Sequence, residues 1–308
     1  MDLGVLPQKT IRAAMPCRGV GVHTGARVAM TLLPAPTGTG IVFRRSDRGG
    51  AIVVANWRNV QESPLCTTLT NREGVSVATV EHLLAAFAGA EIDNVVVDLD
   101  GPEVPVMDGS AEPFLFLIER AGIVEQDAPR RAIKVLKPIR IAEDNRMAAL
   151  TPASDFSVSF KIDFPDELVK RQDISLSLDG ESFRTEIARA RTFGFLEDVE
   201  RLRAAGLARG GSLENAVVVS GNDILNKDGL RYADEFVRHK VLDAVGDLYL
   251  AGGPILGRFR GVRSGHALNR RLLAALFADR RAWCYTTLAD AELAEPARWQ
   301  SGARAARA

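Results

Sequence analysis

Among 308 residues there are only four histidines, three cysteines, three tryptophans and three tyrosines, and each scarcity removes an explanation. Cys17, Cys66 and Cys284 are scattered and show no CxxC spacing, which argues against a disulfide framework or a cysteine-built zinc cluster. No charge of one sign prevails. Lys+Arg and Asp+Glu number 39 each, so no global field favours nucleic acid, and an anionic ligand must be held by local cations. No segment is apolar for long enough to span a bilayer, and the opening MDLGVLPQKTIRAAM has no apolar core of signal-peptide length. The expectation is a cytoplasmic protein with no transmembrane segment and no nucleic-acid partner. The remaining composition, 46% apolar and 25% charged, is that of an ordinary globular chain. Its length predicts two domains.

The chain changes period in a repeated order. Residues 8–60 alternate in the strand manner over 10–14, 26–33, 40–44 and 51–55. At 79–89 (TVEHLLAAFAG) the spacing turns helical, with Val80, Leu83, Leu84 and Phe87 on one face and Gly89 as the stop. A strand at 94–99 follows, then a helix over 113–121 with Ser110 as its cap and Gly122 as its stop. The polar stretch 123–133, containing Pro129, reads as a boundary near 126–131 that divides residues 1–128 from 129–308. Beyond it the pattern predicts strands at 132–141, 146–151, 156–163 and 173–178 and a helix beginning near Ser182. A long helix over 234–250, a strand at 255–262 and a helix over 268–278 complete the second half. Both halves therefore read as strands, a histidine-bearing helix, a glycine stop, a strand and a final helix: an α+β unit, duplicated. Residues 194–220 fall outside the repeat and read as an insertion, apolar on one side through Leu196, Val199 and Leu202.

His239 and Asp243 lie four apart on the long helix, so their side chains leave one face about 5–6 Å apart at Cβ. That spacing suits one imidazole and one carboxylate on a single Zn²⁺, with bonds of roughly 2.0–2.2 Å. A surface His–Asp pair has the same spacing and no chemistry. Asp247 extends the polar stripe by a turn, while Phe236, Val241, Leu242, Val245 and Leu248 form the apolar remainder. Glu81 and His82 are adjacent and point about 100° apart, which favours a division of labour: His82 as ligand, Glu81 as base. His82, His239 and Asp243 would then fill the three-ligand count of catalytic zinc. For Glu81 the plain alternative is an acid stabilised by the helix N-terminus, which together with a nearby cation favours its charged form. His266, in RSGHALN, reads as a turn residue suited to capping a helix or protonating a leaving group. RGVGVHTG (18–25), which carries His23, is followed by a strand and not a helix, so a dinucleotide loop is excluded.

Five motifs occur in order across both halves: TVEHLLAA (79–86), DGSAEPF (108–114), RARTFGF (189–195), FVRHKVLDAVGDL (236–248) and SGHALN (264–269). Together they resemble the UDP-3-O-acyl-N-acetylglucosamine deacetylase family, zinc amidases of lipid A biosynthesis in Gram-negative bacteria. The resemblance runs from about residue 8 to 290. It implies an α+β fold of two duplicated domains, each a sheet layered with helices. They would pack face to face around the active site, with a βαβ-like element inserted in the second. It implies one catalytic Zn²⁺ on His82, His239 and Asp243, with Glu81 as general base. His266 matches the acid that protonates the departing amine, Asp247 the carboxylate that orients it, and Lys240 and Thr192 the groups that polarise the carbonyl and stabilise the oxyanion.

By the same resemblance, Phe193, Phe195, Val199, Gly211 and Ser212 match an apolar passage for the acyl chain, which accounts for the insertion. Arg146 and Arg263 stand where basic residues, lysines in many members, approach the diphosphate. Phe164 matches a substrate-contacting position, but the chain departs from the family beside it, reading Ile162-Asp163-Phe164-Pro165 where a histidine is common. Cys66 corresponds to a cysteine near the metal; a buried structural thiol is the alternative reading. The implied partner is a small-molecule nucleotide-sugar lipid, met by a monomer that makes at most transient contact with the inner membrane. Two rival readings stay open. A zinc amidase for another N-acyl sugar would keep the metal and base but change the apolar insertion. A non-catalytic binder of nucleotide sugars or lipids would not need Glu81, His266 and three ligands together.

Overall fold

A computed structural model describes residues 5–63, 65–165 and 168–288; the end of the expected second half, 289–308, lies outside the described residues. Six α-helices occur among them: α1 (Glu81–Gly89), α2 (Glu112–Ala121), α3 (Gly180–Ser182), α4 (Leu196–Ala204), α5 (Glu235–Tyr249) and α6 (His266–Ala278).

Two sheets repeat one plan. In the first, strands Met15–Val20, Arg27–Pro34, Val95–Leu99, Ile41–Arg45 and Ala51–Val54 lie side by side in that order. Their junctions are antiparallel, antiparallel, parallel and antiparallel. In the second, Ile139–Glu143, Arg146–Thr151, Ile255–Val262, Phe156–Asp163 and Arg171–Ser177 make the same junctions in the same senses. Each central strand is preceded by a histidine-bearing helix, α1 or α5, and followed by a second helix, α2 or α6. The fold is α+β, and its duplication is written in the hydrogen-bond ladders. The second sheet alone is extended by Arg131–Val135 and Trp283–Thr287.

Alternation along the strands turns one face inward, as with buried Val28, Met30 and Leu32 in Arg27–Pro34. The two histidine helices pack against each other, and each is buried on nearly every side. A helix covered all round must lie between layers. Their contact is close because of Gly246, where a Cβ would stand 2.0 Å from the carbonyl oxygen of Glu81. A helix-interior glycine costs about 1 kcal/mol relative to alanine, and here it lets α1 lay its first residue on α5.

Several expected elements are displaced, for identifiable reasons. The strand expected at 10–14 is Pro7–Ile11; the N–H groups of Arg12 and Ala13 then donate to the carbonyls of Gly122 and Ala121, turning the chain into the next strand. The polar stretch 123–133 is no bare linker. Ile123–Pro129 is a strand that pairs with Pro7–Ile11, with Glu125 and Asp127 on its exposed face. The strand expected at 132–141 breaks at 136–138, where Pro138 cannot donate, into Arg131–Val135 and Ile139–Glu143. Near Ser182 the helix is one turn, boxed by Asp179 and Ser182 and continued as a π-turn over Phe183–Ile187. Ser110 Oγ accepts from the Glu112 N–H at 3.3 Å, one residue before the backbone cap Ala111. The insertion is βαβ-like: Phe193–Phe195 and Val217–Ser220 run parallel with α4 between them. Among the described residues no helix is long and apolar enough to cross a membrane.

Candidate metal and acid–base site

The polar stripe of α5 faces inward. His239, Asp243 and Asp247 are all buried, which excludes the alternative of a surface His–Asp pair. They meet the first turn of α1. Asp243 Oδ1 lies 3.4 Å from His239 Nε2 and 3.6 Å from His82 Nε2, and the three ligand atoms lie within 4.8 Å of one another. Tetrahedral bonds of about 2.0–2.2 Å set donor atoms about 3.3–3.6 Å apart, which the two distances to Asp243 match. The donor chemistry fits as well. His239 Nδ1 donates to the Ala190 carbonyl at 3.1 Å, which leaves the Nε2 lone pair free for a metal. Burial pushes the His239 pKa down to about 3 against the pull of Asp243, so the ring is neutral, as a ligand must be. Burial opposes ionisation of Asp243, but the charge of Lys240 beside it holds its pKa well below the usual range. The Lys240 ammonium donates to Asp243 Oδ2 at 2.7 Å.

On one side of this cluster stand Glu81 and His266. Glu81 is the first residue of α1, approached through Thr79, whose φ of +57° is rare for a β-branched residue. The Thr79 hydroxyl is tied to Glu103 at 2.8 Å, and that carboxylate is fully buried. Glu81 Oε2 accepts the Thr67 N–H at 3.0 Å, while Oε1 lies 3.9 Å from His266 Nε2. Burial works against ionisation of Glu81 and lifts its pKa to about 7, a push that the helix N-terminus and a nearby cation would oppose.

His266 is the first residue of α6, two positions earlier than the helix expected at 268–278, with Gly265 in extended backbone as the cap. Its Nδ1 donates to Asp247 Oδ2 at 2.9 Å. Burial works against the imidazolium, but Asp247, with Glu81 and Asp243 behind it, overrides that and raises the pKa to about 10. Asp247 is held in turn by the Thr67 hydroxyl at 2.6 Å and the Asn269 amide at 2.8 Å. Thr67 and Asn269 escaped the sequence reading, although Asn269 closes the SGHALN motif. Cys66 is buried, with Sγ 3.7 Å from the Ser63 hydroxyl and 3.6 Å from that of Thr68.

The other expected residues fall in two groups. Phe193 lies between Phe164, Phe236 and His239, at ring separations of 5.8, 4.9 and 6.3 Å, and Phe164 also meets Phe195 at 5.7 Å. Lys240 Nζ stands 5.7 Å over the Phe193 ring. The aromatic cluster thus begins at His239 and Lys240. Thr192, just before it, is held by its N–H to the Gly109 carbonyl and by its own carbonyl to Val217, both at 2.8 Å. Gly109, of the DGSAEPF motif, has φ +85°, and a Cβ there would meet the Asn215 carbonyl at 2.1 Å. Val199 of α4 faces Gly194. Gly211 and Ser212 lie in the segment after α4, bound to Arg203 and Asn215, with Gly211 beside Val22. Arg146 and Arg263 come together at the strand ends before α6: Arg146 Nε donates to the Arg263 carbonyl at 3.2 Å, and Arg263 faces Asp163 at 3.9 Å.

A carboxylate and an imidazolium thus stand 3.9 Å apart beside a buried cluster of two imidazoles and a carboxylate. Such a set can take a proton from one atom and give one to another. A family profile described as UDP-3-O-acyl N-acetylglycosamine deacetylase matches residues 8–278. A UDP-3-O-acyl-N-acetylglucosamine deacetylase of Nitrosococcus oceani is 52% identical over 295 residues, covering 95% of this chain and 97% of that one. Those of Shewanella sp. (strain W3-18-1) and Shewanella oneidensis are 49% and 48% identical over 279 residues, covering 90% of this chain and 91% of theirs.

Proposed function

The chain belongs to the UDP-3-O-acyl N-acetylglycosamine deacetylase family, and on that footing we propose that it hydrolyses the N-acetyl group of UDP-3-O-acyl-N-acetylglucosamine. The products are acetate and the free amine, an early step toward lipid A, carried out in the cytoplasm. The observation that carries this reading is the meeting of Glu81, His266 and the His82–His239–Asp243 cluster from three helices of two duplicated halves. We read those halves as domains 1–128 and 129–308.

His82, His239 and Asp243 would hold one Zn²⁺. When bound, zinc supplies a Lewis acid that polarises the amide carbonyl and makes water a better nucleophile near neutral pH. The chain supplies the proton transfers. Glu81, pinned at Oε2 by Thr67, takes a proton at Oε1 from the attacking water as its oxygen bonds to the acetyl carbon. His266 gives the proton on Nε2 to the amide nitrogen as the carbon–nitrogen bond breaks, so the nitrogen leaves as an amine and not as a prohibitive anion. Asp247 keeps the imidazole charged and oriented until then. Lys240 and Thr192 stabilise the oxyanion, Lys240 through its charge beside Asp243.

Phe164, Phe193 and Phe195 would line the start of the acyl passage, with Val199, Gly211 and Ser212 along the insertion. Arg146 and Arg263 would meet the diphosphate. A monomer suffices for all of these contacts. Acetate release from the full substrate, compared with a simple N-acetylated sugar, tests the reading. Turnover of the full substrate alone supports it, and equal turnover of both would assign a general N-acyl sugar amidase.

A further inference from the structure

The geometry points to Thr67 as a positioning residue that holds the base and the acid in one frame, an inference that rests on the function proposed above. Thr67 is 3% exposed and stands just ahead of strand Thr68–Thr70, remote in sequence from α5 and α6. Its two polar groups are divided between the two sides of the reaction. The backbone N–H donates to Glu81 Oε2 at 3.0 Å, which leaves Oε1 as the oxygen turned toward His266. The hydroxyl donates to Asp247 Oδ1 at 2.6 Å, and its oxygen lies 3.2 Å from His266 Nδ1. Asp247 therefore has both oxygens engaged: Oδ1 by Thr67, Oδ2 by His266 and Asn269.

A carboxylate with one oxygen released can rotate about its Cβ–Cγ bond, and the imidazole bonded to the other oxygen follows it. The 3.9 Å between His266 Nε2 and Glu81 Oε1 is thus set from one residue, through a main-chain bond on one side and a side-chain bond on the other. Loss of an outer hydrogen-bond partner of this kind costs roughly ten- to a hundredfold in activity. The loss should fall on kcat, because Thr67 acts through Asp247 and Glu81 and does not itself touch substrate.

The test uses the zinc-loaded full chain with Thr67→Val, which is close to isosteric and keeps the N–H to Glu81, and with Thr67→Ser, which restores the hydroxyl. Acetate release from UDP-3-O-acyl-N-acetylglucosamine gives kcat and KM, elemental analysis gives metal content, and proton NMR follows the hydrogen-bonded Nδ1 proton of His266. Expected for Thr67→Val are a kcat lower by roughly ten- to a hundredfold, unchanged KM and metal, and a displaced Nδ1 resonance. Thr67→Ser should recover most of the rate and the resonance. Thr67→Ala serves in place of valine if that variant does not fold. An unchanged kcat on loss of the hydroxyl overturns the inference, as does an equal deficit in Thr67→Ser. If the unaltered chain releases no acetate, the function proposed above fails instead. The Nδ1 resonance then still decides whether Thr67 orients the His266–Asp247 pair.

Discussion

The carbonyl oxygen of Glu81 lies where a side chain on Gly246 would have to go: a Cβ there would stand 2.0 Å from it. Both atoms belong to helix backbones, so neither can swing aside. Alanine is the better helix former by about 1 kcal/mol, and at an open position Gly246→Ala would stabilise. Here overpacking, worth about 1–3 kcal/mol, wins. Urea unfolding should show a net loss of stability and turnover should fall with it; a more stable, fully active variant would show that α1 does not rest on α5 at this point.

Glu81 should act as a base and not as a ligand. Glu81→Ala is expected to keep its metal and fold while losing about two to four orders of magnitude in kcat. Zinc lost in step with activity would reassign the carboxylate to the metal.

The pH dependence follows from two displaced titrations. Glu81 must be ionised, so activity rises with pH through its pKa, about 7 in the metal-free chain and lower beside a bound dication. His266 must be protonated, so activity falls as pH passes its pKa of about 10. The kcat/KM profile should be a bell between these limbs, which belong to the coupled pair. His266→Gln should flatten or shift the alkaline limb with zinc content unchanged. An unaltered alkaline limb would assign the proton to another group, with Lys240 the nearest candidate.

The acyl passage has its own signature. A charge introduced by Phe195→Asp or Val199→Asp should raise KM for a long-chain substrate by roughly tenfold or more, since each buried methylene is worth about 0.8 kcal/mol. A short-chain analogue should be nearly unaffected. Equal effects on both would place the passage elsewhere.

What the sequence made legible were the features its periodicity or spacing carries directly. The expected helix at 234–250 is Glu235–Tyr249, the strand at 255–262 is exact at both ends, and the repeat seen as a pattern of elements reappears as matched ladders. The meeting of His82, His239 and Asp243 was foreshadowed by an i, i+4 pair and one adjacent dyad. What escaped was set by contacts between distant parts of the chain. Thr67 and Asp247 are 180 positions apart, and no local pattern announces such a bond. Gly246 left one visible trace, a glycine inside a helix, which signals close approach without naming the neighbour. The burial that raises the pKa of Glu81 was not legible, because a helix N-terminus is visible in the sequence and burial on all sides is not.

Deacetylation by this chain should require a zinc ion on His82, His239 and Asp243. The most direct measurement is acetate release from UDP-3-O-acyl-N-acetylglucosamine by chain stripped with a chelator, before and after one equivalent of Zn²⁺, with His239→Ala alongside. Expected are negligible release from the stripped chain, recovery on adding zinc, and neither zinc retention nor recovery in His239→Ala. Full turnover by the metal-free chain, or by His239→Ala, would contradict the zinc requirement.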